Sequence, residues 1–272
     1  MNLFQAFLYG AIQGFTEFLP VSSSAHLVII PFLLHWKIPP ENIFTLNVIV
    51  QLASLVAVIL YFRKEISQLL ISFFTGLIRK KPFNEPMSRL AWLIILASIP
   101  AGIIGLSFKD AIEESFNQPK LVAFLLLGTA TLLVLGEKIG KKIHNLDHMT
   151  WVSALWIGFF QALALLPGVS RSGATISAGL IRHLRREEAA RFSFIMYIPV
   201  MFVAGLMAII DLIQCQCLGT AWTYYLAATI ASGVVSYFSI KWLLTFLTTR
   251  SLYIFAFYCA LISMFTLLFP FS

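Results

Sequence analysis

Six stretches of the chain run apolar without a break: about 44–62, 90–107, 120–137, 192–213, 222–247 and 252–269. A helix that crosses a bilayer takes about 20 such residues, so each is expected to span. Two further apolar stretches are interrupted. Leu3 to Leu34 is broken at Leu19-Pro20-Val21-Ser22-Ser23-Ser24, and Trp151 to about Ile181 is broken at Pro167-Gly168-Val169-Ser170-Arg171-Ser172-Gly173. The pieces on either side of each break hold only about 9 to 16 residues, too few to cross. Irregular backbone at membrane depth survives only inside protein or beside a wet cavity, so each broken stretch is expected to be a re-entrant helix pair. Segment 67–78 is short and apolar and predicts a helix near the membrane surface.

Composition supports this pattern. Of 272 residues, 59% are hydrophobic and 11% charged, with mean hydropathy +0.88. An ordinary soluble domain is about 25% charged, so a soluble, disordered or disulfide-built protein is excluded. Three cysteines, Cys215, Cys217 and Cys259, have no histidine near enough in sequence for a zinc site and read as incidental. The start Met1-Asn2-Leu3-Phe4 has neither a basic region nor a small-residue cleavage site, so no removable signal peptide is expected.

The net charge of +7 belongs to loops rather than to a nucleic-acid partner. With loop 63–89 placed in the cytoplasm, fifteen basic residues fall inside, including Arg182, Arg185, Arg186 and Arg191. Only Lys37, Lys109 and Lys120 fall outside, and Arg171 stays in the interior. A full span at 151–181 would carry the four arginines outside, against the positive-inside tendency. Gly10-x-x-Gln13 with Pro20-Val21-Ser22 echoes Gly158-x-x-Gln161 with Pro167-Gly168-Val169-Ser170. The expected architecture is an all-α polytopic membrane protein, with six transmembrane helices plus two re-entrant pairs arranged as an inverted-topology repeat. It forms one integral membrane domain over 1–272: a first repeat at about 1–110 with its pair at 3–34, and a second at about 150–247 with its pair at 151–181. Substrate sites in such folds sit where the repeats meet.

Charge inside apolar sequence is costly and functional by default; here it is Glu17 and Arg171. Gln13 and Glu17 share a helix face, Ser22 or Ser23 can cap the next helix, and Ser23 and His26, three apart, share a face. Ser170 can cap a helix starting near Arg171, with Thr175 one turn on. Two helix N-termini and a guanidinium favour an anion, by its chemistry a phosphate. Glu17 then calls for a bridging cation, and the oxygens of Glu17 and Gln13 suit Mg²⁺ or Ca²⁺.

The runs Gln13-x-x-x-Glu17-Phe18-Leu19-Pro20-Val21-Ser22-Ser23-Ser24-Ala25-His26 and Pro167-Gly168-Val169-Ser170-Arg171-Ser172-Gly173-Ala174-Thr175 closely resemble the undecaprenyl-diphosphate phosphatase family, the bacitracin-resistance proteins. Gln51-Leu52-Ala53-Ser54, Ile99-Pro100-Ala101 and Arg191-Phe192-Ser193-Phe194 extend the likeness along the chain. The resemblance implies a plasma-membrane phosphatase that removes the terminal phosphate of undecaprenyl diphosphate, recycling the lipid carrier for peptidoglycan synthesis with divalent-metal dependence. It implies that Glu17 binds metal or acts as base, that Arg171 clamps phosphate, and that Ser22, Ser170, Ser172 and Thr175 support substrate. Either Ser23, with His26 as its partner, or His26 itself attacks phosphorus. Many members carry glutamate at the position of Gln13 and glycine at that of Ala25. The alternative from another class is a carrier or flippase for an anionic lipid, which needs Arg171 but no nucleophile. Expected partners are the polyprenyl diphosphate and membrane lipids, not nucleic acid, with homodimerisation open. The site is expected to open to the extracytoplasmic side.

Overall fold

A computed structural model describes residues 1–36, 38, 40–115, 118–214 and 222–268. Among the described residues the protein is helical, with no β-strand and a single bridge between His144 and Leu184. In chain order the helices are α1 (Leu3–Thr16), α2 (Ser23–Leu33), α3 (Pro40–Tyr61), α4 (Arg63–Ile78), α5 (Pro86–Ser107), α6 (Lys109–Ser115), α7 (Pro119–Ile139), α8 (Trp151–Leu163), α9 (Arg171–Ile181), α10 (Arg186–Gln214), α11 (Trp222–Thr249) and α12 (Tyr253–Leu268).

Among the described residues, five helices are long and apolar enough to cross a membrane: α3 over Ile43–Tyr61, α5, α7 over Lys120–Ile139, α10 and α11. The last expected span, 252–269, is present as α12, whose 16 residues fall short of that measure. Several bulky apolar side chains face outward, among them Phe124, Phe202, Ile254 and Phe257. An outer surface this apolar belongs in lipid, and the chain is a multi-pass membrane protein. The surface helix expected at 67–78 is longer, starting at Arg63, and α6 was not anticipated. Cys215 and Cys217 lie outside the described residues; Cys259 is buried.

Both interrupted stretches form two short helices around an irregular break. Local signals set the ends. Asn2 and Gln5 form a capping box at α1, Ser22 caps α2, and Ser170 caps α9. The echoing glycines do matching work: Gly10 brings α1 against the Ala228 carbonyl of α11, and Gly158 brings α8 against the Ala97 carbonyl of α5. A Cβ at either would collide with that backbone. Helix contacts this close depend on small residues. At the second break Gly168 sits at φ +96° with no room for a side chain beside the Val122 carbonyl.

The arginine-rich segment after α9 is held by partners rather than left free. Arg186 makes two 2.7 Å bonds to Glu137, whose carboxylate also meets Lys142 at 3.1 Å and the Leu252 N–H at 2.9 Å. Arg191 shares its Nε–H between the two Glu65 oxygens at 2.9 and 3.0 Å, and Arg182 reaches the Ser153 hydroxyl at 3.1 Å.

Candidate active site

The two breaks meet. Ser172 Oγ, at the start of α9, donates to the Leu19 carbonyl of the first break (2.9 Å), and the Gly168 N–H of the second break donates to Ser24 Oγ at the start of α2 (3.2 Å). The N-termini of α2 and α9 therefore converge, and between them stand the two charges singled out above. Arg171 Nη2 lies 3.3 Å from Glu17 Oε1, with both side chains largely buried, 13% and 10% exposed. The same guanidinium reaches the Ser193 carbonyl at 3.4 Å and the Glu17 carbonyl at 3.5 Å. It also stacks over the Tyr197 ring, 4.0 Å from the centroid. Arg171 Nε is buried with no hydrogen-bond partner, a charged donor for which burial is costly until an acceptor arrives.

Glu17 closes α1, its backbone N–H bonded to the Gln13 carbonyl at 2.9 Å. Its Oε2 accepts the Gln13 amide at 2.9 Å and the Ser23 hydroxyl at 2.6 Å. Ser22 stands at φ 69°, a strained turn for a residue with a Cβ. Its hydroxyl caps α2 through the Ala25 N–H at 3.4 Å and meets Ser24 Oγ at 3.1 Å. This turn points Ser23 back at Glu17.

His26 is placed differently from expectation. It shares no hydrogen bond with Ser23: Nδ1 lies 2.7 Å from the Ser22 carbonyl and Nε2 2.8 Å from the Tyr258 hydroxyl of α12. The α2 backbone turns the imidazole toward α12, and the Ser23 hydroxyl bonds instead to the Glu17 carboxylate, six residues before it. Ser170 caps α9 through the Gly173 N–H at 3.0 Å and meets Ser172 at 3.2 Å. Thr175 bonds the Arg171 carbonyl at 2.7 Å and Ser193 Oγ at 2.6 Å. All three are buried, and their hydroxyls meet partners within the protein.

Sequence reasoning missed Tyr197, Tyr258 and Ser24. Ser193 lies in the quoted run Arg191-Phe192-Ser193-Phe194, and Tyr197 is four residues on, one helical turn along the same face; that spacing was the available signal. Tyr258 had none.

Among the described residues no three His, Cys, Asp or Glu side chains gather as a metal cluster. The donor chemistry nonetheless fits a hard cation: Gln13 Oε1 is buried, without a donor, and its amide adjoins the Glu17 carboxylate. Gln13 and Ser24 also line a cavity of about 610 Å³ between α1, α2 and α3, with Tyr9, Asn47 and Gln51 among its polar walls.

The profile of the family "Bacitracin resistance protein BacA" matches residues 6–265. An undecaprenyl-diphosphatase of Myxococcus xanthus is 39% identical over 260 residues, 95% of this chain and 86% of that protein. One from Chloroherpeton thalassium is 39% identical over 275 residues, 98% of this chain and 96% of that one. One from Chlorobaculum tepidum is 41% identical over 266 residues, 95% and 93%.

Proposed function

The chain belongs to the bacitracin resistance protein BacA family, and from that premise we propose that it hydrolyses undecaprenyl diphosphate to undecaprenyl phosphate and inorganic phosphate. The observation that carries the reading is the 2.6 Å bond from Ser23 Oγ to Glu17 Oε2, on a carboxylate whose other oxygen meets Arg171. A hydroxyl, its base and a phosphate clamp thereby occupy one place.

Arg171 turns its unpartnered Nε and its Nη groups to the diphosphate oxygens and neutralises charge on the transferring group, the main source of catalysis in phosphoryl transfer. Ser23 Oγ bonds the terminal phosphorus as the bridging P–O bond breaks. The Ser23 proton passes to Glu17, and the lipid monophosphate leaves with the bridging oxygen. A water oxygen then bonds phosphorus, the P–Oγ bond breaks, and Ser23 recovers its proton from Glu17. Gln13 Oε1 and Glu17 would hold Mg²⁺ or Ca²⁺, which supplies further charge neutralisation at the phosphates. Ser22, Ser170, Ser172 and Thr175 hold the two helix starts in register.

The broader setting belongs to the same proposal: a bacterial plasma membrane, six spanning helices with α12 as the sixth, and two re-entrant pairs in an inverted repeat. The matched packing of Gly10 and Gly158 supports the repeat. The cavity between α1, α2 and α3 opens to the extracytoplasmic side, and hydrolysis there recycles the lipid carrier for peptidoglycan synthesis and confers bacitracin resistance. Phosphate release from undecaprenyl diphosphate in detergent, with Mg²⁺, Ca²⁺ or EDTA, tests the reaction. Ser23→Ala and Glu17→Gln are each expected to abolish it. Full turnover by Ser23→Ala would overturn the nucleophile, and no turnover by the parent protein would favour the carrier reading.

A further inference from the structure

The last helix, α12, lies beyond both re-entrant pairs, yet two neighbouring residues tie it to the first break. Cys259 Sγ donates to the Pro20 carbonyl at 3.6 Å, and the Tyr258 hydroxyl meets His26 Nε2 at 2.8 Å. The Tyr258 and His26 rings also lie nearly parallel, 8° apart with centroids at 5.6 Å. Hydrogen-bonding roles follow from the partners. A backbone carbonyl only accepts, so the Nδ1 that faces the Ser22 carbonyl must carry the imidazole proton. In the neutral ring Nε2 is then an acceptor, and the Tyr258 hydroxyl is its donor. Both nitrogens of His26 are thus engaged, and the imidazole, 4% exposed, has no lone pair to offer Ser23.

We propose that Tyr258 is a positioning residue for the phosphatase reaction: its phenol occupies the His26 Nε2 lone pair, fixes the imidazole against α12, and leaves Glu17 as the base for Ser23. The inference rests on the function proposed above and adds to it a residue outside both motif-bearing segments. Tyr258 touches no reacting atom; it acts through His26, whose position shapes the wall of the site beside the Ser22 turn.

The test is the reactivity of His26 toward diethylpyrocarbonate, which acylates an unprotonated imidazole nitrogen, read site by site by peptide mass spectrometry on the full-length protein in detergent. Tyr258→Phe keeps the stacked ring and removes only the donor. It should speed acylation of His26 about fivefold, the factor equivalent to a net hydrogen bond of about 1 kcal/mol, while His35 acts as internal control. It should also lower kcat for phosphate release by about the same factor with KM unchanged. A 3-fluorotyrosine at position 258, a stronger donor, should slow acylation below the parent rate. Unchanged His26 reactivity in both variants overturns the proposal, as does faster acylation with unaltered kcat, which would make the contact merely structural. Absence of phosphate release from the parent protein would instead sink the proposed function, while the reactivity comparison would still report on the His26–Tyr258 contact.

Discussion

At the scale of single residues, the arrangement makes opposite demands on Gln13 and Arg171. Gln13 offers Glu17 an amide donor and leaves its own oxygen buried without one. Gln13→Glu would place a second carboxylate beside Glu17, where like charges repel until a cation bridges them. The expected result is a lower thermal midpoint in EDTA and a larger rise on adding Mg²⁺ or Ca²⁺ than the parent shows, measured by thermal unfolding in detergent. Arg171 does three things a point charge cannot do together: its Nη2 meets Glu17, its Nη1 reaches the Ser193 carbonyl, and its guanidinium carbon stands over the Tyr197 ring. Arg171→Lys keeps the charge and loses the plane, and kcat/KM for phosphate release should fall about 10²-fold.

At the scale of elements, helices are held by a few exacting contacts. The Cβ that Gly158→Ala adds meets the Ala97 backbone, which cannot yield without moving α5, whereas a Cβ at Gly102 meets nothing within 4 Å. Overpacking of this kind costs about 1–3 kcal/mol. Gly158→Ala should therefore unfold at a clearly lower temperature than the parent, and Gly102→Ala should not. The Glu137 carboxylate, 1% exposed, gathers Arg186, Lys142 and the first backbone N–H leading into α12. Removing the main partner of a buried charge is strongly destabilising, so Arg186→Met should cost about 3 kcal/mol, read from thermal unfolding. The same contacts change the meaning of the arginine-rich loop. Its charge is a sound indicator of side, but three of its arginines also fasten α7, α4 and α8 to α9 and α10.

At the scale of the whole molecule, the two breaks are buried against each other, and each pair is braced by a helix from the other half of the chain, α1 on α11 and α8 on α5. Orientation is the property to test here. A cysteine at position 216 of a Cys-free background should react with an impermeant reagent added outside intact cells, and one at position 80 only after permeabilisation; the reverse pattern would invert the proposed topology. Much of this scale was already present in the chain. Runs of apolar residues near bilayer length predict spanning helices because the hydrocarbon core leaves backbone groups no partner but each other. Proline and serine clusters in otherwise apolar runs predict the breaks, and isolated charges beside those breaks predict the site. These are local or solvent-imposed constraints, which a one-dimensional pattern can express. Contacts across long sequence separations are not. That Ser23 faces Glu17 while His26 faces Tyr258, 232 residues away, depends on the positive φ of Ser22 and on where α12 docks. Only the packed fold, in which each buried polar group must find a partner from whichever helix stands beside it, could decide whether the carboxylate or the imidazole is the hydrogen-bond partner of Ser23.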